Sequence, residues 1–165
     1  TAYEQPALEG VYKLSAIQSA EGQWENKVKL SEQTIKISTP GLLSARRYYV
    51  DKINGMAMAD AIYDDRFGIS EDDQIIIDPI DPTKRRVIPQ GTPYRDLLKP
   101  IFRKGALVYE IPSLKSSQEK THRELQQFHE SIRRLLNPHT YPVGLEEKLY
   151  HLKLKLILKK MRLAP

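Results

Sequence analysis

Arg46-Arg47-Tyr48-Tyr49-Val50 and, six residues later, Ala57-Met58-Ala59-Asp60-Ala61-Ile62-Tyr63 are the runs on which the fold turns. Both carry aromatic or β-branched residues, which suit a pleated, half-buried surface, and they read as two strands. Asn54-Gly55 lies between them. Six connecting residues make a loop rather than a tight two-residue hairpin turn. Downstream, Gln74-Ile75-Ile76-Ile77 is a short apolar run, expected as a strand buried on both faces. Asp78-Pro79-Ile80-Asp81-Pro82 is a loop, because two prolines forbid helix and central strand. Residues 86–88 are expected as a short strand. Residues 96–103, Lys104-Gly105 and residues 106–110 are expected as a hairpin, with Pro100 placing its first arm at an edge.

Upstream, residues 10–17 alternate apolar and polar and read as a strand, followed by a turn at Ala20-Glu21-Gly22. Lys27-Val28-Lys29-Leu30-Ser31 alternates again, predicting a second strand. Thr39-Pro40-Gly41 then breaks the chain. Near residue 112 the periodicity turns helical. Leu125, Phe128, Ile132, Leu135 and Leu136 fall at offsets 0, 3, 7, 10 and 11, which predicts one helix ended by Asn137-Pro138. Tyr141-Pro142-Val143-Gly144 reads as a connector. Leu145, Leu149, Leu152 and Leu156, at 0, 4, 7 and 11, predict a second amphipathic helix. The expected class is α+β: short, mostly antiparallel strands followed by two C-terminal helices. The expected divisions are 1–18, a strand region; 19–112, a β-rich domain; and 113–165, helices.

Composition narrows the chemistry. The chain has 165 residues, 40 % apolar and 28 % charged, as a globular unit does. It contains no cysteine, so disulfides and thiolate metal sites are excluded. No apolar run is long enough to span a membrane. Net charge is +5 and the pI about 9.3, which permits an anionic partner. Two groups of cations stand out. Lys13, Lys27, Lys29, Lys36, Arg46 and Arg47 lie in the first third. Lys148, Lys153, Lys155, Lys159, Lys160 and Arg162 lie in the last twenty residues.

If Lys13 and Lys29 stand on neighbouring strands with Lys36 close by, they make a site for a polyanion such as pyrophosphate, because ammonium groups are point charges suited to phosphate oxygens. The competing reading is a solvated strand face. Arg46 and Arg47 must point to opposite faces of their strand, so at most one joins any site, and each can equally serve a surface ion pair. His122, His129, His139 and His151 form no HExxH or HxxxH pair and read as surface or packing residues. Asp64, Asp65, Asp72, Asp73, Asp78 and Asp81 match no calcium loop and read as solvated loop carboxylates. No phosphate-binding glycine loop or nucleophile elbow is present. Residue pattern therefore offers no catalytic set and no metal site. The Lys-rich last helix raises RNA or an acidic protein as a partner of a stand-alone module. It has no interleaved aromatic beyond Tyr150, so nucleic acid is not expected.

Four blocks carry a resemblance. Gln5-Pro6-Ala7-Leu8-Glu9-Gly10-Val11-Tyr12-Lys13-Leu14 resembles the PALGGVYKL segment of nicotinate phosphoribosyltransferases. Lys29-Leu30-Ser31-Glu32, Lys36-Ile37-Ser38-Thr39-Pro40-Gly41 and Arg46-Arg47 follow in that family's order. Pro112-Ser113-Leu114 and the run from Leu135-Leu136-Asn137-Pro138-His139 through Tyr141-Pro142-Val143-Gly144-Leu145 resemble its C-terminal signature. Glu9 departs, standing where the family has Gly.

The resemblance implies the C-terminal part of a type II phosphoribosyltransferase, whose fold is an irregular α/β barrel plus a sandwich-like domain, with residues 1–18 adjoining the barrel. Such cytosolic enzymes make nicotinate mononucleotide and pyrophosphate from nicotinate and phosphoribosyl pyrophosphate in NAD salvage. They are driven by ATP hydrolysis, need Mg2+, and act as homodimers. The family's phosphate loop, phosphorylatable histidine and nicotinate contacts precede the position of Thr1, so this stretch by itself is expected to be inactive, with no catalytic residue of its own. In the related nicotinamide enzymes, lysines matching Lys13, Lys29 and Lys36 hold pyrophosphate across the dimer interface. Lys13, Lys29, Lys36 and Arg46 are accordingly the candidate pyrophosphate or ATP ligands. A purely structural or dimerisation role is the alternative.

Overall fold

The computed structural model describes residues 12–51, 55–70 and 72–162. Residues 5–11 of the first resembling block, Glu9 among them, and Asn54 of the expected loop lie outside these. The described residues form an α+β unit as expected, built on one six-stranded sheet with strand order β6-β5-β10-β4-β3-β7. Its members are β3 (Leu43–Tyr49), β4 (Ala57–Asp64), β5 (Gln74–Ile77), β6 (Arg85–Ile88), β7 (Tyr94–Asp96) and β10 (Val143–Glu146). All neighbours are antiparallel except β10 and β4. Outside the sheet lie the hairpin β1 (Ala16–Gln18) and β2 (Trp24–Asn26), and the hairpin β8 (Phe102–Arg103) and β9 (Ala106–Leu107).

The two runs that open the reading form the centre of the sheet. The register sets Tyr48 against Ala59, Arg46 against Ala61 and Arg47 against Asp60. Successive side chains alternate faces, so Arg46 and Arg47 diverge as expected. On one face the alanines of β4 leave room for larger neighbours: Tyr48, Ala59, Ala61, Ile76 and Ile88 form a buried cluster. Toward the last helix, Ile77, Leu145 and Leu149 are fully buried.

The N-terminal strands are shorter than alternation suggests. The turn at 19–22 closes with Ser19 N–H to the Gln23 carbonyl at 2.8 Å and Gly22 N–H to the Ser19 carbonyl at 3.0 Å. Pairing therefore starts beside the turn, matching Ala16 with Asn26, and β2 falls on Trp24–Asn26 instead of 27–31. The 96–110 hairpin is likewise trimmed. Lys104 and Gly105 both have positive φ, 49° and 80°, as a type I′ turn requires. Upstream of β8, Pro100 has no N–H to donate, and Asp96, expected in the hairpin, instead joins Tyr94 and Arg95 in a strand paired with β3.

The C-terminal third differs most from expectation. The helix α1 spans Leu114–Gln126, with the Ser113 hydroxyl accepting the Ser116 N–H at 3.2 Å as N-cap. The apolar stripe from Leu125 to Leu136 is not one helix. The Gln127 carbonyl is taken by Ala57 N–H at 2.7 Å, and His129 caps a separate short helix, α2 (Glu130–Arg133). Leu135 and Leu136 end 97 % and 83 % exposed. The stretch read as helices alone also contains a strand. Residues 143–144, expected in a connector, and Leu145, expected in the last helix, belong to β10, between β4 and β5. Gly144 is what lets it fit: a Cβ there would lie 2.9 Å from the Ile77 backbone nitrogen. Only then does α3 (Glu147–Arg162) begin. It packs on β5 and β10 with Leu149 fully buried.

Candidate functional site

Three lysine side chains are anchored on one loop. The Ser38 hydroxyl accepts the Lys29 N–H at 2.7 Å, and the Ser38 N–H donates to the Lys29 carbonyl at 3.1 Å, so residues 29–38 close on themselves. A 3-10 turn at Thr34–Lys36 bends the loop, and Val28, Ser38 and Pro40 are its buried anchors. The Ser15 carbonyl accepts N–H groups from Lys27 at 2.8 Å and Gly41 at 3.0 Å. That stitches the run carrying Lys13 beside the loop, so the expected neighbourhood forms without regular strands.

Lys13 Nζ donates to the Lys36 carbonyl at 3.0 Å, which brings the Lys13 ammonium to the backbone of Lys36. Both side chains are exposed, as is that of Lys29, whose backbone closes the loop. Lys27 differs, because Glu25 pairs with it at 2.5 Å.

From α3, Lys153 Nζ approaches the Ile37 carbonyl at 3.5 Å and the Thr39 hydroxyl at 3.3 Å. Lys160 Nζ donates to the Val28 carbonyl at 2.8 Å. Among the described residues, no carboxylate lies within ion-pairing distance of Lys13, Lys29, Lys36, Lys153 or Lys160. Burial, and then the charge of Lys13, push the Lys153 ammonium below the ordinary lysine value.

Sequence alone places Lys153 and Lys160 among the cations of the Lys-rich last helix, with nothing joining them to Lys13, Lys29 and Lys36. The signal that could have found Lys153 is its spacing. It stands four residues after Leu149 and three before Leu156, on the apolar stripe itself.

Arg46 is placed differently. Its Nε and Nη2 donate to the Asp96 carboxylate at 2.7 and 3.1 Å, and its guanidinium lies 3.6 Å over the Tyr94 ring. It lines an open groove of about 840 Å³ with Tyr48, Ser70, Gln74, Gln90 and Tyr94. None of its described contacts is with the lysines. Arg47, on the opposite face, donates twice to Asp60 at 2.8 Å. The Tyr141 hydroxyl donates to the same carboxylate at 2.8 Å, and Phe128 meets Tyr141 edge-on with ring centres 4.9 Å apart. Hydrogen bonding to Asp60 raises the Arg47 pKa against the effect of burial, and burial followed by that same carboxylate raises Tyr141. This cluster holds the segment before β10 on the sheet.

Asp64 corrects another expectation. It is 1 % exposed, not a solvated loop residue. Burial alone would raise its pKa, but the Arg66 guanidinium and the backbone N–H groups of Arg66 and Leu42 hold it below the usual carboxylate range. Gly41, at φ +111°, lies so close that a Cβ would come within 2.5 Å of the Asp64 carboxylate. Asp78 and Asp81 make turn bonds, Asp78 accepting the N–H groups of Ile80 and Asp81, and Asp81 that of Thr83. Among the described residues, no three His, Asp or Glu side chains gather in a metal-ligating group.

Residues 45–153, which span the sheet and reach Lys153, match the family model of the nicotinate phosphoribosyltransferase C-terminal domain. A nicotinate phosphoribosyltransferase of Bacillus subtilis (strain 168) is 32 % identical over 161 residues, covering 95 % of this chain and 32 % of that protein. One of Caenorhabditis elegans is 31 % identical over 153 residues, covering 91 % of this chain and 26 % of that protein. The crystal structure of human nicotinic acid phosphoribosyltransferase shares the fold, with a TM-score of 0.61 at 22 % identity over 73 % of this chain and 24 % of that one. The chain thus spans about a third or less of the relatives it matches. The matched residues and these relatives agree: the chain belongs to the nicotinate phosphoribosyltransferase family, as its C-terminal domain.

Proposed function

We propose that this domain serves an enzyme that joins nicotinate to phosphoribosyl pyrophosphate, coupled to ATP hydrolysis, in cytoplasmic NAD salvage. Its contribution is a cationic site for the pyrophosphate group and not the reaction centre. The observation that carries this reading is the lysine loop, where the Lys13 ammonium sits on the Lys36 backbone with no carboxylate beside it among the described residues. As the nicotinate nitrogen bonds to the anomeric carbon, the bond from that carbon to the pyrophosphate oxygen breaks, and the leaving pyrophosphate takes the electron pair and gathers negative charge. Cations already fixed in place stabilise that charge without reorganising.

In this reading Lys13, Lys29 and Lys36 hold phosphate oxygens. Arg46 would join them only by giving up its two bonds to Asp96. Magnesium does not fit the lysine loop directly, since ammonium groups repel it; the lysines suit the phosphate oxygens of phosphoribosyl pyrophosphate or ATP. A homodimer, with the loop facing the partner's reaction centre, completes the reading. An RNA-binding role for α3 is disfavoured, because Lys153 and Lys160 turn inward to backbone and hydroxyl acceptors.

The test is kinetic. The 165-residue chain by itself should make no nicotinate mononucleotide from nicotinate, phosphoribosyl pyrophosphate and ATP. In the full-length protein, Lys13→Ala and Lys36→Ala should raise the KM for phosphoribosyl pyrophosphate about tenfold each, as loss of a charge-assisted contact does. Unchanged kinetics in both would remove the loop from the site.

A further inference from the structure

We propose that Lys153 of α3 is a further anion-binding residue of the lysine loop, reaching a phosphate oxygen from the buried side while Lys13 and Lys36 reach it from the exposed side. This rests on the reading of the loop as a pyrophosphate site.

Four observations lead to it. Lys153 is 8 % exposed, yet no carboxylate pairs with it among the described residues. Buried ammonium groups are ordinarily paired. Its two acceptors, at 3.5 and 3.3 Å, are neutral and lie beyond the usual range for such bonds, and an ammonium has three hydrogens to place.

Lys13 and Lys153 bond to consecutive carbonyls, those of Lys36 and Ile37, so two ammonium groups bracket one short piece of backbone. Burial, and then the charge of Lys13, make the Lys153 ammonium harder to keep, and a bound anion offsets that. Lys160, seven residues further along α3, is the internal contrast: it is exposed, so water can take the hydrogens that the Val28 carbonyl at 2.8 Å does not. A lysine kept only to brace the loop would resemble Lys160. Lys153 is held more loosely, and it lies where charge is unmet.

The ligand class is a diphosphate, free or as the pyrophosphoryl end of a sugar phosphate. The probe is inorganic pyrophosphate, titrated calorimetrically into the full-length protein and into Lys13→Ala, Lys153→Met, Lys153→Arg and Lys160→Met. Circular dichroism confirms that each is folded. Phosphoribosyl pyrophosphate is titrated in parallel, to separate the free ion from the sugar-linked group. The expected result is a Kd about tenfold weaker for Lys153→Met, partly restored in Lys153→Arg and unchanged in Lys160→Met. If Lys13→Ala weakens binding and a folded Lys153→Met does not, Lys153 is a brace and the inference falls while the loop's role stands. If neither weakens binding, the loop's role falls with it. Should Lys153→Met fail to fold, a folded Lys153→Arg that binds no better than Lys13→Ala overturns the proposal, and one within threefold of the unsubstituted protein supports it.

Discussion

The six-stranded sheet and the lysine loop beside it contain similar charged residues and treat them oppositely. In the sheet, Arg47 is held by Asp60 and Tyr141, Arg46 by Asp96, and Asp64 by Arg66. In the loop, Lys13, Lys153 and Lys160 reach only carbonyls and a hydroxyl. The difference separates stability from binding. A buried charge with a bidentate partner locks two strands or a strand and a connector together, and removing one partner leaves the other stranded. A cation matched only by neutral acceptors keeps most of its field for something else.

That contrast can be broken by substitution. The largest effect is expected at Asp60. Asp60→Ala would strand Arg47, which is 12 % exposed, and free the Tyr141 hydroxyl, costing about 3–5 kcal/mol in urea unfolding. A loss below about 1 kcal/mol would show that the pair is no clamp.

Asp64 sharpens the comparison through pH. Its folded pKa lies below the ordinary 3.8, so its stabilisation is fully present above that value and fades as pH falls through the folded value. Asp64→Asn should be less stable at pH 7, with the gap to the unsubstituted protein closing in acid. A gap that stays constant from pH 7 to strong acid would contradict it.

Tyr141→Phe removes one bond to Asp60 while Arg47 still holds the carboxylate, so a loss of about 1 kcal/mol is expected. The smallest effect belongs to the loop. Lys13→Ala and Lys36→Ala should each change unfolding free energy by no more than about 0.5 kcal/mol while weakening pyrophosphate binding. Losses as large as at Asp60 would mean that the loop lysines are structural, and the contrast would disappear.

The chain's own pattern reached some of this and missed the rest for identifiable reasons. β3, β4, β5 and β6 were legible because each alternates or runs apolar between turn signals, and strands pair locally across short connections. The neighbourhood of Lys13 and Lys36 was legible through the resembling blocks and not through alternation, since Lys13 lies outside any paired strand and Lys36 ends a 3-10 turn. β7 was missed because Asp96 reads locally as the start of the hairpin that follows, although Tyr94–Asp96 pairs with β3, about fifty residues upstream. The helical stripe from Leu125 failed because periodicity ignores competition. A backbone bond from Ala57 and a capping histidine interrupted it.

By itself the sequence determined the α+β class, the opposed directions of Arg46 and Arg47, and the absence of thiol chemistry. These depend on residue type and on the two-residue and 3.6-residue repeats of local backbone geometry. Only the tertiary structure decided that Val143–Glu146 is a central strand, that Asp64 is buried against Arg66, and that Lys153 faces the lysine loop. In each case the deciding partner lies elsewhere in space: the gap between β4 and β5, the glycine at 41, and a loop more than a hundred residues upstream. Proline, glycine and lysine are loop or surface signals when read locally. The free energy of filling a gap in a sheet, or of setting a cation among carbonyls, is fixed only when distant segments meet.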